Sequence, residues 1–207
     1  MARVVKKPEE RKEELLDIAM KLFMEKGYIN TSVKDIYTQA NGSFGMFYHH
    51  FASKEEVFAA AMDRYTDLFV SGISDILLDR TIPYKERYKR VIVHWMGLIN
   101  GRDKVRGTQH DEEVFRVLSS KMLSGAVDPV KQYLDEGIEL GFIKTDDSRS
   151  SAIFIVYGMF GLINEERNRI GTNDNARRIF ANVSKRIAPV LGADESMFTF
   201  AEDEENA

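Results

Sequence analysis

The chain has 207 residues, 43% of them hydrophobic, with 29 Lys and Arg against 33 Asp and Glu, a net charge of −4 and no cysteine. That length allows one large or two small domains, and the apolar content is ample for a packed core. The missing cysteines exclude disulfides and thiolate metal sites and fit a reducing cytoplasm, and no apolar run approaches the roughly 18 residues of a membrane span.

The first residues, Met1-Ala-Arg-Val-Val-Lys-Lys-Pro8, are basic, but no long apolar segment follows, so they do not read as a secretory signal. Leu15, Ile18, Ala19, Leu22 and Phe23 form one apolar stripe of a helix that Gly27 ends. Residues 31 to 57 then carry the densest local signals. Thr31 or Ser32 can cap a short helix, and Asp35 follows Ser32 at capping-box spacing. Val33, Ile36 and Ala40 share its buried face. Asn41-Gly42 breaks it, since both residues tolerate left-handed backbone. Ser43 caps a second short helix carrying Phe44, Gly45, Met46, Phe47, Tyr48 and His49. Phe47 and Phe51 face the core, which leaves Phe44, Met46, Tyr48 and His49 on other faces. Ser53 with Glu56 makes a full capping box and starts a third helix. This is the layout of a helix-turn-helix, which sets its second helix in a DNA major groove.

The run from Ala40 to Val57, Ala-Asn-Gly-Ser-Phe-Gly-Met-Phe-Tyr-His-His-Phe-Ala-Ser-Lys-Glu-Glu-Val, resembles the signature of the TetR/AcrR regulators, over about residues 10 to 60. Ser43, Gly45, Tyr48, Phe51, Lys54 and Glu55 match outright; Phe47 and Val57 match in type. Asn41-Gly42 stands where that family usually has Gly-Val, which shifts the turn glycine by one, and Tyr37 stands in place of the usual Ala. So many matches at fixed spacing make the motif specific.

Within the stretch, Tyr48, His49 and Lys54 are the expected phosphate contacts, with Thr31 or Ser32 at a helix N-terminus doing likewise. Lys6, Lys7 and Lys12 add non-specific attraction. Phe44 and Met46 occupy positions where Arg or Lys could grip guanine. They can touch only the thymine methyl. Ser43, Tyr48, His49 and Lys34 are then the polar readers, and the operator is expected to be A·T-rich opposite Phe44 and Met46, with DNA shape adding specificity. The alternative is that Phe44 tucks into the protein and reads nothing.

Further along, Val57, Ala61, Tyr65, Leu68 and Phe69 predict a long helix from Ser53 to about Leu78, shared by both halves of the chain and joining them rigidly. Pro83 opens the next helix in its first turn. Asp128-Pro129 predicts an N-cap with proline at the first helical position, and Gly141 closes that helix. Thr145 or Asp146 begins another through about Ile170, and Asp174 one more to about Leu191. No strand pattern is present. The fold class is therefore all-α: a three-helix helix-turn-helix domain over 1–54, a larger helical effector-binding and dimerisation domain over 55–193, and an acidic tail over 194–207.

Charge divides along the same lines. Residues 1–54 hold nine Lys/Arg and seven Asp/Glu, 55–193 hold twenty of each, and 194–207 hold six acidic residues and no basic one. The positive end is the end with the DNA motif, as phosphate binding requires. The tail reads as a solvated, frayed terminus, the alternative being a role in tuning DNA affinity.

The last helices are apolar on more than one face, so they need cover on two sides. Val156, Tyr157, Phe160 and Ile163 on one, and Phe180, Val183 and Ile187 on the other, are expected to form a homodimer interface, which the family resemblance also implies. Gly158 and Gly161 allow close approach; core packing within the monomer is the alternative. The middle helices offer Tyr88, His94, Trp95, Met96, Leu98, Phe115, Leu118, Met122, Tyr133 and Phe154 as an effector pocket, a set of large apolar side chains with a few polar groups. Each could instead be plain core.

His110 and Glu113, with His94, could in principle ligate a metal. A di-metal bundle needs paired Glu-x-x-His motifs, and the sequence has one such pairing, reversed, so a solvated helix start is preferred. There is no Gly-x-Ser-x-Gly turn and no Gly-rich phosphate loop. The sequence calls for no cofactor and no metal. It describes a ligand-responsive transcriptional regulator, a repressor in the first instance, that binds a near-palindromic operator as a homodimer and is released by a largely apolar small molecule. The alternative is a helical small-molecule or metal-dependent enzyme whose N-terminal motif is only structural.

Overall fold

A computed structural model describes residues 7–103, 112–170 and 184–198. Every element among them is helical: α1 (Pro8–Asn30), α2 (Val33–Gln39), α3 (Phe44–His50), α4 (Lys54–Leu77), α5 (Tyr84–Asp103), α6 (Glu112–Glu139), α7 (Ser148–Ile170), α8 (Ile187–Leu191) and a single 3-10 turn, Glu195–Met197. The described residues fall into two compact units. One comprises 7–68 and 112–121, the other 69–103, 122–170 and 184–198.

The first unit is built from local signals. Gly27 takes φ 82°, out of reach of most residues, and ends the regular part of α1. Ser32 and Asp35 form the expected capping box at the start of α2, and Ser43 accepts the Met46 N–H at the start of α3. The turn between them divides its labour. Asn41 alone is left-handed, at φ 50°. Gly42 is needed for space instead, because a Cβ there would overlap the Met46 methyl. Ahead of α4, Ser53 Oγ accepts the Glu56 N–H at 3.1 Å, while the Glu56 carboxylate reaches back past Ser53 to the N–H of Ala52. The box is thus displaced by one residue from its expected form. Leu15, Ala19 and Phe23 of α1, Ile36, Phe47, Phe51, and Val57 and Ala61 of α4 are sealed together as the core.

In the second unit Pro83 sits just before α5, where its carbonyl accepts the N–H of Glu86 at 2.9 Å. The expected helix start at Asp128-Pro129 is absent: α6 runs unbroken through Pro129. Proline deprives the Gly125 carbonyl of its i+4 donor. The helix continues because Leu123, Ala126 and Val127 before it and Tyr133 and Leu134 after it bury one common face, and packing overrides the local breaker. Asp128 instead pairs with Arg149 at 3.0 Å. Gly141 ends α6 at φ 76°, with the N–H of Phe142 reaching the Gly137 carbonyl across the turn. The cap of α7 is Asp147, whose carboxylate accepts the Ser150 N–H at 2.9 Å, rather than Thr145 or Asp146.

The last expected helix differs too. Residues 174–183 lie outside the described ones. Beyond them the chain turns at 185–186 before α8 begins. Pro189 lies inside α8 and cannot donate to the Lys185 carbonyl, which accounts for the break. A buried ion pair ties the unit together. Arg87, 3% exposed, donates to both Glu136 carboxylate oxygens at 2.8 and 3.2 Å, and to the carbonyls of Ile82 and Leu77. Each of the three guanidinium nitrogens thus donates to at least one acceptor, as a buried charge requires.

Candidate nucleic-acid interface and apolar cavity

The outward face of α3 is open. Phe44 is 64% exposed, and Ser43, Gly45, Tyr48 and His49 are exposed beside it. Phe44 therefore does not tuck inward. It leans on Tyr48, ring centroids 4.4 Å apart, so the two aromatics form one raised surface. Met46 is half-buried, with its methyl folded against Gly42. A Cβ on Gly45 would meet nothing within 4 Å. A glycine inside a helix costs about 0.5–1 kcal/mol relative to Ala, and no neighbour in this unit explains it. Such a position suits close approach by another molecule.

The surrounding residues divide. Ser32 and Lys34 are exposed at the N-terminus of α2. Thr31 is corrected: it is fully buried, and its hydroxyl donates to the Gly27 carbonyl at 2.8 Å and faces that of Leu22 at 3.2 Å. It stitches the end of α1 and is not presented to a partner. Lys54 is partly buried, its Nζ 4.2 Å over the Tyr28 ring and 3.4 Å from the Ile29 carbonyl. That fixes its charge at the first turn of α4. Ile29, 79% exposed, was not marked by its sequence pattern, since an isolated apolar residue after a glycine carries no periodic signal. His50 is half-buried, and burial followed by the neighbouring His49 lowers its pKa below the usual histidine value.

The second unit holds a cavity of about 60 Å³, walled by α4 to α8 and by the segment after α8. Ile73 and Leu77 come from α4, Tyr88, Ile92 and Trp95 from α5, Tyr133 and Leu134 from α6, and Ile155, Val156 and Met159 from α7. Of the expected pocket residues it unites Tyr88, Trp95 and Tyr133. His94, on the same helix, packs against Gly72 instead. Phe154 is 63% exposed and points away, and Met122 is buried without reaching the cavity. Phe115 and Leu118 belong to the first unit. The side chains of Met96 and Leu98 lie outside the described residues.

The acidic tail also needs correction. Asp194 caps the 3-10 turn, and Met197 and Phe198 are each 1% exposed. Phe198 lines the cavity and meets the Tyr88 ring edge-on at 4.8 Å. So Met197 and Phe198 are built into the core, while Asp194, Glu195 and Ser196 stay exposed as a solvated acidic stretch would. The expected dimer residues divide likewise. Val156, Ile163 and Ile187 are buried within the unit, and Phe160 is partly buried against the same core. Tyr157 is exposed, while Phe180 and Val183 lie outside the described residues. What α7 does expose is Ile153, Phe154, Tyr157 and Leu162, with open space at Gly158 and Gly161.

Among the described residues no three His, Asp or Glu side chains come together as a metal site, His110 lying outside them. No described helix is long and apolar enough to cross a membrane.

An exposed second helix in a capped helix-turn-helix, on a chain whose described elements are all helical and which holds an apolar cavity in its other unit, defines a DNA-binding transcriptional regulator. The comparisons place it further. Residues 15–61 match the family model for bacterial regulatory proteins of the tetR family. The HTH-type transcriptional repressor KstR2 of Mycobacterium tuberculosis is 31% identical over 153 residues, 70% of this chain and 76% of the relative. The repressor DhaR of Mycobacterium sp. strain GP1 is 26% identical over 140 residues, 65% of this chain and 71% of that one. Among solved structures, SmeT, the repressor of the Stenotrophomonas maltophilia multidrug efflux pump SmeDEF, matches with TM-score 0.71 at 19% identity, covering 91% of this chain and 93% of its own. A SmeT–triclosan complex matches with TM-score 0.68 at 18% identity, covering 93% and 96%. The chain belongs to the tetR family of bacterial regulatory proteins.

Proposed function

We propose that this protein is a cytoplasmic, ligand-responsive repressor that binds a near-palindromic operator as a homodimer and is released when a small molecule fills the cavity. One observation carries the reading: the unit that does not hold the helix-turn-helix contains an apolar cavity. The printed names of KstR2, DhaR and SmeT, all repressors, and the triclosan complex of SmeT support it by kinship. No observation favours the enzyme alternative.

On DNA, the Phe44–Tyr48 surface enters the major groove and Phe44 meets a thymine methyl, with Met46 turned aside toward Gly42. Ser32, Ser43, Tyr48, His49 and Lys54 hold backbone phosphates or polar base edges, and Lys34 adds charge. Two copies associate through the exposed α7 face of Ile153, Phe154, Tyr157 and Leu162, where Gly158 and Gly161 admit a second backbone. That dimer sets the reading helices about 34–36 Å apart, the spacing of successive major grooves.

Helix α4 is common to both functions. Val57 and Ala61 sit in the core of the reading unit, while Ile73 and Leu77 stand in the cavity wall. A ligand that binds only when those two residues move selects another arrangement of α4. A coupling of about 1–3 kcal/mol would change operator affinity roughly 5–150-fold. Gel-shift binding to DNA upstream of the protein's own reading frame tests the proposal. A retarded dimer complex on a near-palindromic segment is expected, and failure to retard any upstream segment would overturn it.

A further inference from the structure

We infer that the ligand of this cavity is a compact, uncharged apolar molecule, and that ionised ligands of the same shape are refused. This rests on the effector reading above and adds its chemistry. Among the described residues that line the cavity none is charged, and the only hydroxyls are those of Tyr88 and Tyr133. Both are already committed. The Tyr88 hydroxyl lies 2.6 Å from Ser184 Oγ, itself fully buried, and the Tyr133 hydroxyl donates to the Tyr84 carbonyl at 3.2 Å. Burial raises the pKa of each above the usual tyrosine range, so neither supplies a charge.

The one described cation buried in this unit, Arg87, is not in the wall and spends its donors on Glu136, Ile82 and Leu77. A carboxylate placed among Ile73, Ile92, Leu134 and Met159 would lose its hydration and meet no described cation, a loss larger than the packing gain. A hydrocarbon loses nothing there. Apolar cavities stay dry, and one of about 150 Å³ takes up benzene. At about 60 Å³ the space here is less than half of that, so the occupant is small or the walls move to admit it.

The chain has one tryptophan, Trp95, and it lines the cavity, so its emission reports occupancy directly. The test uses toluene and benzoate, a neutral and an ionised molecule of similar size, titrated into the full-length protein at neutral pH. Toluene should change Trp95 emission saturably, and benzoate should bind at least about 100-fold more weakly, the scale expected for an unpaired buried group. Ala126→Leu, which fills the cavity, should abolish the toluene response while melting stays cooperative. Benzoate binding as well as toluene would overturn the inference and leave the effector reading intact. No saturable response to either would overturn both. Toluene binding that saturates without any change in DNA retardation would support the ligand chemistry and sink the effector reading.

Discussion

Tyr84 and Tyr133 stack face to face, ring centroids 4.3 Å apart and planes within 6°, and each hydroxyl donates to the other's backbone carbonyl. The pair fastens the first turn of α5 to the last two turns of α6. It exists because Gly137 lacks a side chain: a Cβ there would overlap the Tyr84 hydroxyl and stand 2.7 Å from Ile143 Cδ1.

Gly137→Ala therefore sets a steric cost against a helix-propensity gain of about 1 kcal/mol. Overpacking costs about 1–3 kcal/mol and the lost hydrogen bond about 1, so a net loss of stability is expected in urea unfolding. Adding Tyr84→Phe removes the colliding oxygen and should recover part of it. Strict additivity of the two changes would show that they do not meet at this site.

Gly45→Ala should do the opposite to stability. Its Cβ enters open space, so the domain gains about 0.5–1 kcal/mol. Operator binding should nevertheless weaken, because the proposed interface brings DNA against the added methyl. A variant that is both more stable and equally tight on DNA would remove α3's open face from the interface.

Lys54→Ala should weaken binding to all DNA sequences alike and lower the salt slope by about 0.9, the share of one phosphate contact. Titrations at several salt concentrations, on specific and random duplexes, measure this. A changed base preference at one position would assign Lys54 to base reading instead.

Phe154→Glu, on the exposed face of α7, should abolish dimerisation while the monomer keeps its melting transition. Ile163→Glu, at a 4% exposed position, should unfold the protein by burying a charge. Sedimentation separates the two outcomes, and a Phe154→Glu dimer of normal strength would eliminate this face.

The pKa of His50 is lowered in the folded state, chiefly by burial. The unfolded chain, near the ordinary 6.5, takes up the proton first. Its contribution to stability is therefore present above pH 6.5 and lost as pH falls through the lower folded value. His50→Gln should flatten the stability–pH curve on the acid side of 6.5. An unchanged slope would mean that His50 is equally solvated in both states.

Much of the reading unit is legible from residues 31–57 because its signals are local. Ser32 with Asp35, Ser43 and Asn41 act through hydrogen bonds and dihedral angles within four residues of themselves. The role of Gly42 is not legible, since it depends on where the Met46 side chain goes. The cavity is harder still. Phe154 and Val156 look alike as apolar residues of one helix, yet one is 63% exposed and the other 5%. Only the neighbouring helices decide which is which. The Asp128-Pro129 signal failed for the same reason: a helix start is a local preference, and the buried face of α6 runs through it.

Phe198 closes a cavity wall whose other members begin at Ile73. During synthesis, domains fold as units with the N-terminal one first. The core of Leu15, Phe23, Phe47 and Val57 can assemble while most of the chain is still being made. The cavity wall is not complete until residue 198 has cleared the ribosome. For that interval the nascent regulator has a formed helix-turn-helix and, on the function proposed above, no completed effector site.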